Sequence, residues 1–440
     1  MNIKISTAGT IKSGESIKIT GSKSETNRLL LLQALYPGIS IENISESDDS
    51  IAMQSALAST NAVVDIHHAG TAMRFLTAYF AQKEGRSVVL TGSQRMKERP
   101  IGVLVDALRS LGADIAYTEN EGYPPLKING KKLAGGKTAI KADVSSQYIT
   151  ALLLIASKLE NGIELTLEGE LTSIPYINMT LGLLTELGIQ NSFEGNVIKV
   201  KSQISNHKFQ TERESDNRDS TSEAQSEIFN LKSSITVESD WSSASYFYSI
   251  VALSPVGTAV TISFYKENSL QGDSALVSIY KAFGVDTTFC DSEITLTKLN
   301  MKPETLNFEL NNTPDIAQTI AVTCFGLGIG CHLTGLHTLK IKETDRLEAL
   351  KAELSKFGAD ITVTNDSLTL EPHNLFNLTP AVTKAEVLEV ATYNDHRMAM
   401  AFAPLAVKTA FTINNAEVVS KSFPTFWDDM QQLGFVVNEL

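Results

Sequence analysis

Apolar residues fall at helical spacing through Leu347, Leu350, Leu354 and Phe357, Gly358 follows, and a short strand-like run comes next. The same succession ends at Leu111 and Gly112, Leu187 and Gly188, Phe283 and Gly284, and Leu433 and Gly434. A glycine just past a helix is the expected stop, because it enters the left-handed conformation without steric cost. Successive glycines of this set lie 76, 96, 74 and 76 residues apart. An earlier stretch, Ile51 to Ile66, fits the pattern without the glycine, so the chain reads as six related α/β units of about 75 residues.

The long interval has a visible source. Between Gln203 and Ser234 the sequence turns polar and poor in apolar residues, the composition of an insert, and it sits near the midpoint, where a domain boundary would lie. Directly after it, Ile235 to Glu238 predicts a strand and Ser242 to Ala252 a helix opened by Asp240. Met1 to Thr20 alternates polar and apolar residues like a strand and lacks the apolar segment of a secretory signal.

Composition narrows the class. A chain of 440 residues exceeds what one core usually supports, so about two domains are expected. The apolar share of 42% is ample for burial, and the net charge of -13 disfavours nucleic acid and anionic membranes as a bulk effect. Any anion site must therefore be a local concentration of Arg and Lys. Cys290, Cys324 and Cys331 form no C-x-x-C pair and are expected to be reduced. The longest apolar runs, Ala151 to Ala156 and Met398 to Val407, are too short to span a bilayer, so a soluble cytoplasmic monomer is expected.

Basic residues gather at predicted helix starts. Lys342, Glu343, Thr344, Asp345 and Arg346 place four ionised side chains immediately before the apolar run of 347–357. Ser22 to Glu25 has the S-x-x-E pattern of a capping box, which puts Lys23 and Arg28 on or beside the first turn of a helix. The same grammar recurs in Gly70, Thr71 and Arg74, in Ser145, Ser146 and Gln147, in Asp395, His396 and Arg397, and at Lys421 before Pro424. Arg95 to Gly102 carries three basic side chains on a predicted loop. Each start alone is matched by an ordinary capped helix with solvated charge. Together, in an acidic protein, they fit a ligand with two separated anionic groups, because helix N-termini carry partial positive charge and free N–H groups. Glu343, Asp315 and then His396 are the acid or base candidates. Metal and cofactor sites are not expected: His67 and His68 are adjacent, Cys331 and His332 have no second ligand pair, and no dinucleotide or P-loop motif is present.

The segments G-S-K-S-E-T-N-R, A-G-T-A-M-R, R-M-K-E-R-P-I-G, V-S-S-Q-Y, P-Y-I, P-D-I-A, K-E-T-D-R-L, N-D-H-R-M-A-M and K-S-F-P occur in this order over nearly the whole chain. Together they resemble the 5-enolpyruvylshikimate-3-phosphate synthase family of enolpyruvyl transferases. The resemblance implies an α/β fold of two domains, each of three βαβαββ units, with residues 21–237 in the first and residues 1–20 with 238–440 in the second, and an active site in the cleft between them. It implies transfer of enolpyruvyl from phosphoenolpyruvate to the 5-hydroxyl of shikimate 3-phosphate, without cofactor. By motif, Lys23, Gly70, Arg95, Gln147, Arg346, Arg397 and Lys421 would bind phosphoenolpyruvate. Ser24, Arg28, Ser145, Ser146, Gln147, Ser173, Tyr176, Asp315 and Lys342 would bind shikimate 3-phosphate. Asp315 would be the general base, Glu343 would move the proton at the methylene carbon, and Lys23 would assist.

The resemblance sets two physical requirements. Lys342 and Arg346 disfavour a protonated Glu343, so burial or a relay must oppose them in a proton donor. A tetrahedral intermediate calls for protection from water, which domain closure would supply. The chain departs from the family pattern at His68, Phe75 and Thr338, where Asn, Pro and Asn are common, and in the length of the polar insert. A sister activity, enolpyruvyl transfer to UDP-N-acetylglucosamine, is the alternative on the same fold. That family places a reactive Cys in the first half, whereas all the cysteines here lie in the second. A non-catalytic anion-binding protein is the other alternative, and it would need neither Asp315 nor Glu343.

Overall fold

The computed structural model describes residues 1–7, 9–141, 145–169, 171, 174–203, 234–373 and 388–440. The polar insert predicted between Gln203 and Ser234 lies outside the described residues except for those two ends. The chain divides into two units. The first holds Lys23–Ile44 and Asp48–Val237; the second holds Met1–Ser22, Ser45–Ser47 and Glu238–Leu440.

One strand pattern recurs in five four-stranded sheets: a parallel pair, then two antiparallel pairings. In the first unit, Val63–Asp65 runs parallel to Ser87–Thr91, which pairs antiparallel with Leu126–Asn129, and that strand pairs with Asp114–Tyr117. Gly136–Lys141, Ile163–Glu168, Val197–Val200 and Asn191–Glu194 repeat the order. In the second unit the sets begin with Glu15–Ile17 beside Ala259–Ser263, Leu306–Glu309 beside Cys331–Thr334, and Glu389–Ala391 beside Phe411–Asn414. The N-terminal strand Ile3–Thr7 completes the last of these, between Phe411–Asn414 and Phe435–Glu439. The remaining parallel pair, Ser40–Glu42 with Ser234–Thr236, has no antiparallel partner among the described residues.

The predicted glycine stops are helix ends. Gly112 and Gly434 have φ of +97° and +95°, and their N–H groups donate to the carbonyls of Arg109 and Gln431. A residue with a Cβ would be strained there, which is why the turn from helix to strand is written as glycine each time.

Each unit is built around apolar helices. In the first, Lys23–Leu35, Gly70–Gln82 and Ser146–Ala156 pack on one another. In the second, Trp241–Leu253, Ala317–Leu327 and His396–Phe402 do so, with Ala317–Leu327 touching both others. Their sequences are apolar nearly all round, as a helix enclosed by its own layer of strands and helices requires. The polar side chains within them are mostly small hydroxyls that find partners in the core, such as Thr323 with Ser249, while the basic residues singled out by sequence stand at or near their starts. None of the described helices is long and apolar enough to cross a membrane.

Candidate active site

In the second unit the helix Arg346–Lys356 begins at Asp345, whose carboxylate accepts from the N–H groups of Leu347 and Glu348 at 3.1 and 3.2 Å. Its first residue, Arg346, is 2% exposed and grips three carboxylates. Nε donates to Asp395 at 2.7 Å, Nη1 to Asp315 at 2.9 Å and Nη2 to Glu343 at 2.8 Å. Burial alone would lower the pKa of this guanidinium. The charges of Asp395, Glu343 and Asp315 outweigh it and raise the pKa, so Arg346 stays a cation.

Asp315 is the meeting point of the cations. Its Oδ2 accepts from Arg397 Nη2 at 3.2 Å, its carbonyl from Arg397 Nη1 at 3.1 Å, and Lys342 Nζ lies 3.5 Å from Oδ1. Arg397 also donates to Ser242 Oγ at 3.3 Å, so the starts of the three central helices are tied together by hydrogen bonds. Asp395 is the cap of helix His396–Phe402, accepting from Arg397 N at 2.9 Å. Lys421 Nζ donates to the carbonyl of Asn394 at 2.6 Å. Glu343 remains 38% exposed, so a carboxylate bonded to the buried guanidinium also faces the exterior. Asp273, which accepts from Ser242, has its pKa pushed up to about 7 by burial and then by the charge of Asp315.

In the first unit, Arg28 is 3% exposed. It donates to Thr180 Oγ1 at 2.9 Å, to the Ser24 carbonyl at 2.6 Å, to Thr150 Oγ1 at 3.4 Å and to the Tyr176 carbonyl at 3.3 Å. Burial lowers its pKa to about 10, which leaves it charged at neutral pH. Phe75, one of the departures from the family pattern, lies with its ring centroid 5.6 Å from this guanidinium, and Tyr176 at 5.9 Å. The hydrogen bonds named here go to neutral oxygens, and after burial the nearby Tyr176 and Glu25 act on the guanidinium in the opposite sense, favouring its charged form.

Lys23 Nζ is 3.6 Å from Asp49 Oδ2. Ser145 caps helix Ser146–Ala156 by accepting from Gln147 N, and Gln147 Nε2 donates to Thr71 Oγ1 at 3.3 Å, joining two helix starts. Ser173 lies outside the described residues.

Two local expectations change. Ser22 Oγ has no hydrogen-bond partner among the described residues, so the predicted capping box is not made through it; the residue is held by its backbone N–H, which donates to Glu238 O at 2.7 Å. The predicted loop 95–102 contains a helical turn, Gln94–Lys97, capped by Ser93. That turn points Arg95 outward, 68% exposed and paired with Glu98 at 3.2 Å. Arg99 instead lies with its guanidinium directly against Gly70, where any side chain would collide with it. Sequence reading passed over Arg99 although it stands in the same motif; the signal was Pro100, which bars the residue before it from the helical conformation and so takes Arg99 off the turn that carries Arg95. Arg74, which the sequence places at a basic helix start without a ligand of its own, is buried, donates to the carbonyls of Gly70 and Pro100, and has its pKa lowered to about 10 by burial and then by Arg99.

A family profile described as EPSP synthase (3-phosphoshikimate 1-carboxyvinyltransferase) matches residues 38–430. A 3-phosphoshikimate 1-carboxyvinyltransferase of Bacteroides fragilis is 42% identical over 423 residues, covering 96% of this chain and 95% of its own. One of Haemophilus influenzae is 35% identical over 449 residues, covering 95% of this chain and 96% of its own. The EPSP synthase structure from Acinetobacter baumannii superposes with a TM-score of 0.75 over 100% of both chains at 20% identity, a likeness of fold.

Proposed function

The chain belongs to the EPSP synthase family, and from that premise we propose that it transfers the enolpyruvyl group of phosphoenolpyruvate to the 5-hydroxyl of shikimate 3-phosphate, releasing phosphate. The observation that carries the reading is Arg346, whose buried guanidinium holds Asp315 and Glu343 at 2.9 and 2.8 Å. A site that only bound anions would gain nothing from two carboxylates set on its own cation.

The residues take these roles. Asp315 accepts the proton of the 5-hydroxyl as its oxygen adds to C2 of phosphoenolpyruvate, and Glu343 delivers a proton to the methylene carbon. Phosphate then leaves, taking up the proton that Asp315 had accepted, and Glu343 takes a proton back from the methyl carbon, restoring the double bond and the starting state of both carboxyl groups. Arg346, Arg397 and Lys421 hold the anionic groups of phosphoenolpyruvate, together with Lys23, Gly70 and Gln147. Arg99 joins them in the place that the motif gave to Arg95, because it, and not Arg95, lies against Gly70. Ser24, Arg28, Ser145, Ser146, Ser173, Tyr176 and Lys342 serve shikimate 3-phosphate. An arriving anion competes with Asp315 for Arg346 and Arg397, and a carboxylate relieved of cations gains proton affinity. Substrate binding thereby readies the base.

The test is phosphate release from phosphoenolpyruvate with shikimate 3-phosphate or with UDP-N-acetylglucosamine as acceptor. Turnover with shikimate 3-phosphate is expected. Turnover with the sugar nucleotide alone overturns the acceptor, and binding of both substrates without release overturns the reaction.

A further inference from the structure

The segment Ala391 to Asp395 touches the second unit's three candidate phosphoenolpyruvate clamps, Arg346, Arg397 and Lys421. Asp395 holds Arg346 Nε and caps the N–H of Arg397, and the carbonyl of Asn394 accepts from Lys421. Yet the segment is intrinsically unfavourable. Tyr393 and Asn394 stand consecutively at φ of +53° and +56°, in the left-handed region where a Cβ crowds the backbone. Such a conformation persists only where the surroundings over-determine it.

Glu353 supplies that determination. It is 0% exposed, on helix Arg346–Lys356, seven residues beyond Arg346 and so on the same helical face. Its Oε1 accepts from Tyr393 OH at 2.7 Å; its Oε2 accepts from Ala391 N at 3.0 Å and from Lys356 Nζ at 2.6 Å. Among the described residues Ala391 ends a strand at the edge of its sheet, where an N–H lacks a ladder partner unless a side chain supplies one. Tyr393, 40% exposed over its whole surface, is anchored at its hydroxyl, whose pKa is pushed up to about 12 by burial and by Glu353. The helix thus fastens the segment twice, through Arg346 at one end and Glu353 two turns on.

We propose that Glu353 and Tyr393 form a positioning pair that holds the strained 391–395 segment, and with it Arg346, Arg397 and Lys421, in register for the anionic groups of phosphoenolpyruvate. The pair touches no reacting atom. The inference rests on the proposed function for the identity of the ligand, but the geometry concerns any phosphate-bearing ligand.

Tyr393→Phe removes one hydrogen bond from a partly exposed ring, and Glu353→Gln removes the charge while keeping the shape. Both are compared with the wild type by steady-state kinetics in each substrate, by calorimetric titration with inorganic phosphate, and by thermal unfolding. The expected result is a KM for phosphoenolpyruvate raised on the order of 3 to 10-fold, phosphate binding weakened by a similar factor, and a KM for shikimate 3-phosphate within about twofold. A fall in melting temperature with the phosphoenolpyruvate KM and phosphate binding unchanged overturns the proposal, as does an equal rise in both KM values. A wild type without turnover would sink the proposed function, while the phosphate titrations of the same variants still decide the positioning role. A wild type that binds no phosphate overturns the positioning role as well.

Discussion

At the scale of single residues, the proposed roles separate groups that bind from groups that move protons. Asp315→Ala and Glu343→Gln are expected to lower kcat on the order of 10²–10⁴-fold with much smaller changes in KM, since loss of a general acid or base acts on the transition state. Steady-state kinetics check this, and equal losses in binding and turnover would return both residues to a structural role. Arg99→Ala is expected to weaken phosphoenolpyruvate on the order of 10 to 100-fold, the worth of one charge-assisted contact, while Arg95→Ala stays within about threefold. A reversed ranking would restore Arg95 to the site. These residues also show where sequence stops speaking. Lys342, Glu343, Arg346 and Arg397 were legible because charge at a helix start is a local signal. Arg99 against Gly70 and Asp273 beside Ser242 were not, because which of several charged neighbours turns inward depends on a single helical turn or on a fold-level approach. Glu353 was least legible of all. A glutamate on a charged helix reads as solvated, and only the arrival of Tyr393 and Ala391 from a distant strand explains its burial.

At the scale of elements, periodicity did most of the work. The glycine after each of five helices marked real helix ends, because that signal depends on backbone sterics alone. The strand and helix expected after the insert stand at Ser234–Thr236 and Trp241–Leu253, the latter capped by Asp240 as its sequence suggested. The Ser22 box failed for the opposite reason: its backbone is claimed by Glu238, a residue more than two hundred positions away. Helix caps that are made can be weighed. Asp345 accepts from two N–H groups at the start of helix Arg346–Lys356, so Asp345→Ala is expected to cost about 1 kcal/mol of stability and Asp345→Asn only a fraction of that. Chemical denaturation measures both; an equal loss would mean that charge, and not capping, is what the helix start needs. Because Arg346 is the first residue of this helix, the alanine variant should also raise the KM for phosphoenolpyruvate, whereas the asparagine variant should leave it near the wild-type value.

At the scale of the molecule, the two units differ in how they respond to pH. Among the described residues, the carboxylic acids with raised pKa values lie in the second: Asp273 and Asp429 are pushed up to about 7 by burial, and Glu238 is raised for the same reason. The first unit instead holds Arg28 and Arg74, whose pKa values of about 10 lie above the physiological range. An acid raised above its unfolded value of 3.8 keeps its proton in the folded state while the unfolded chain releases it. Its stabilisation is therefore complete below that value and is lost as pH rises through about 7, with an effect on the order of a few kcal/mol for a fully buried group. Both tryptophans, Trp241 and Trp427, belong to the second unit, so their fluorescence reports its unfolding directly. Between pH 5 and pH 7.5 the urea midpoint followed by tryptophan emission is expected to fall. Asp273→Asn, which stays neutral and still accepts from Ser242, is expected to gain on the wild type steadily across that range. His373, lowered by burial, pulls the other way, so the informative quantity is the difference between variant and wild type at each pH. A constant difference from pH 5 to pH 7.5 would mean that Asp273 is already ionised at the lower end, with its charge held by Arg397.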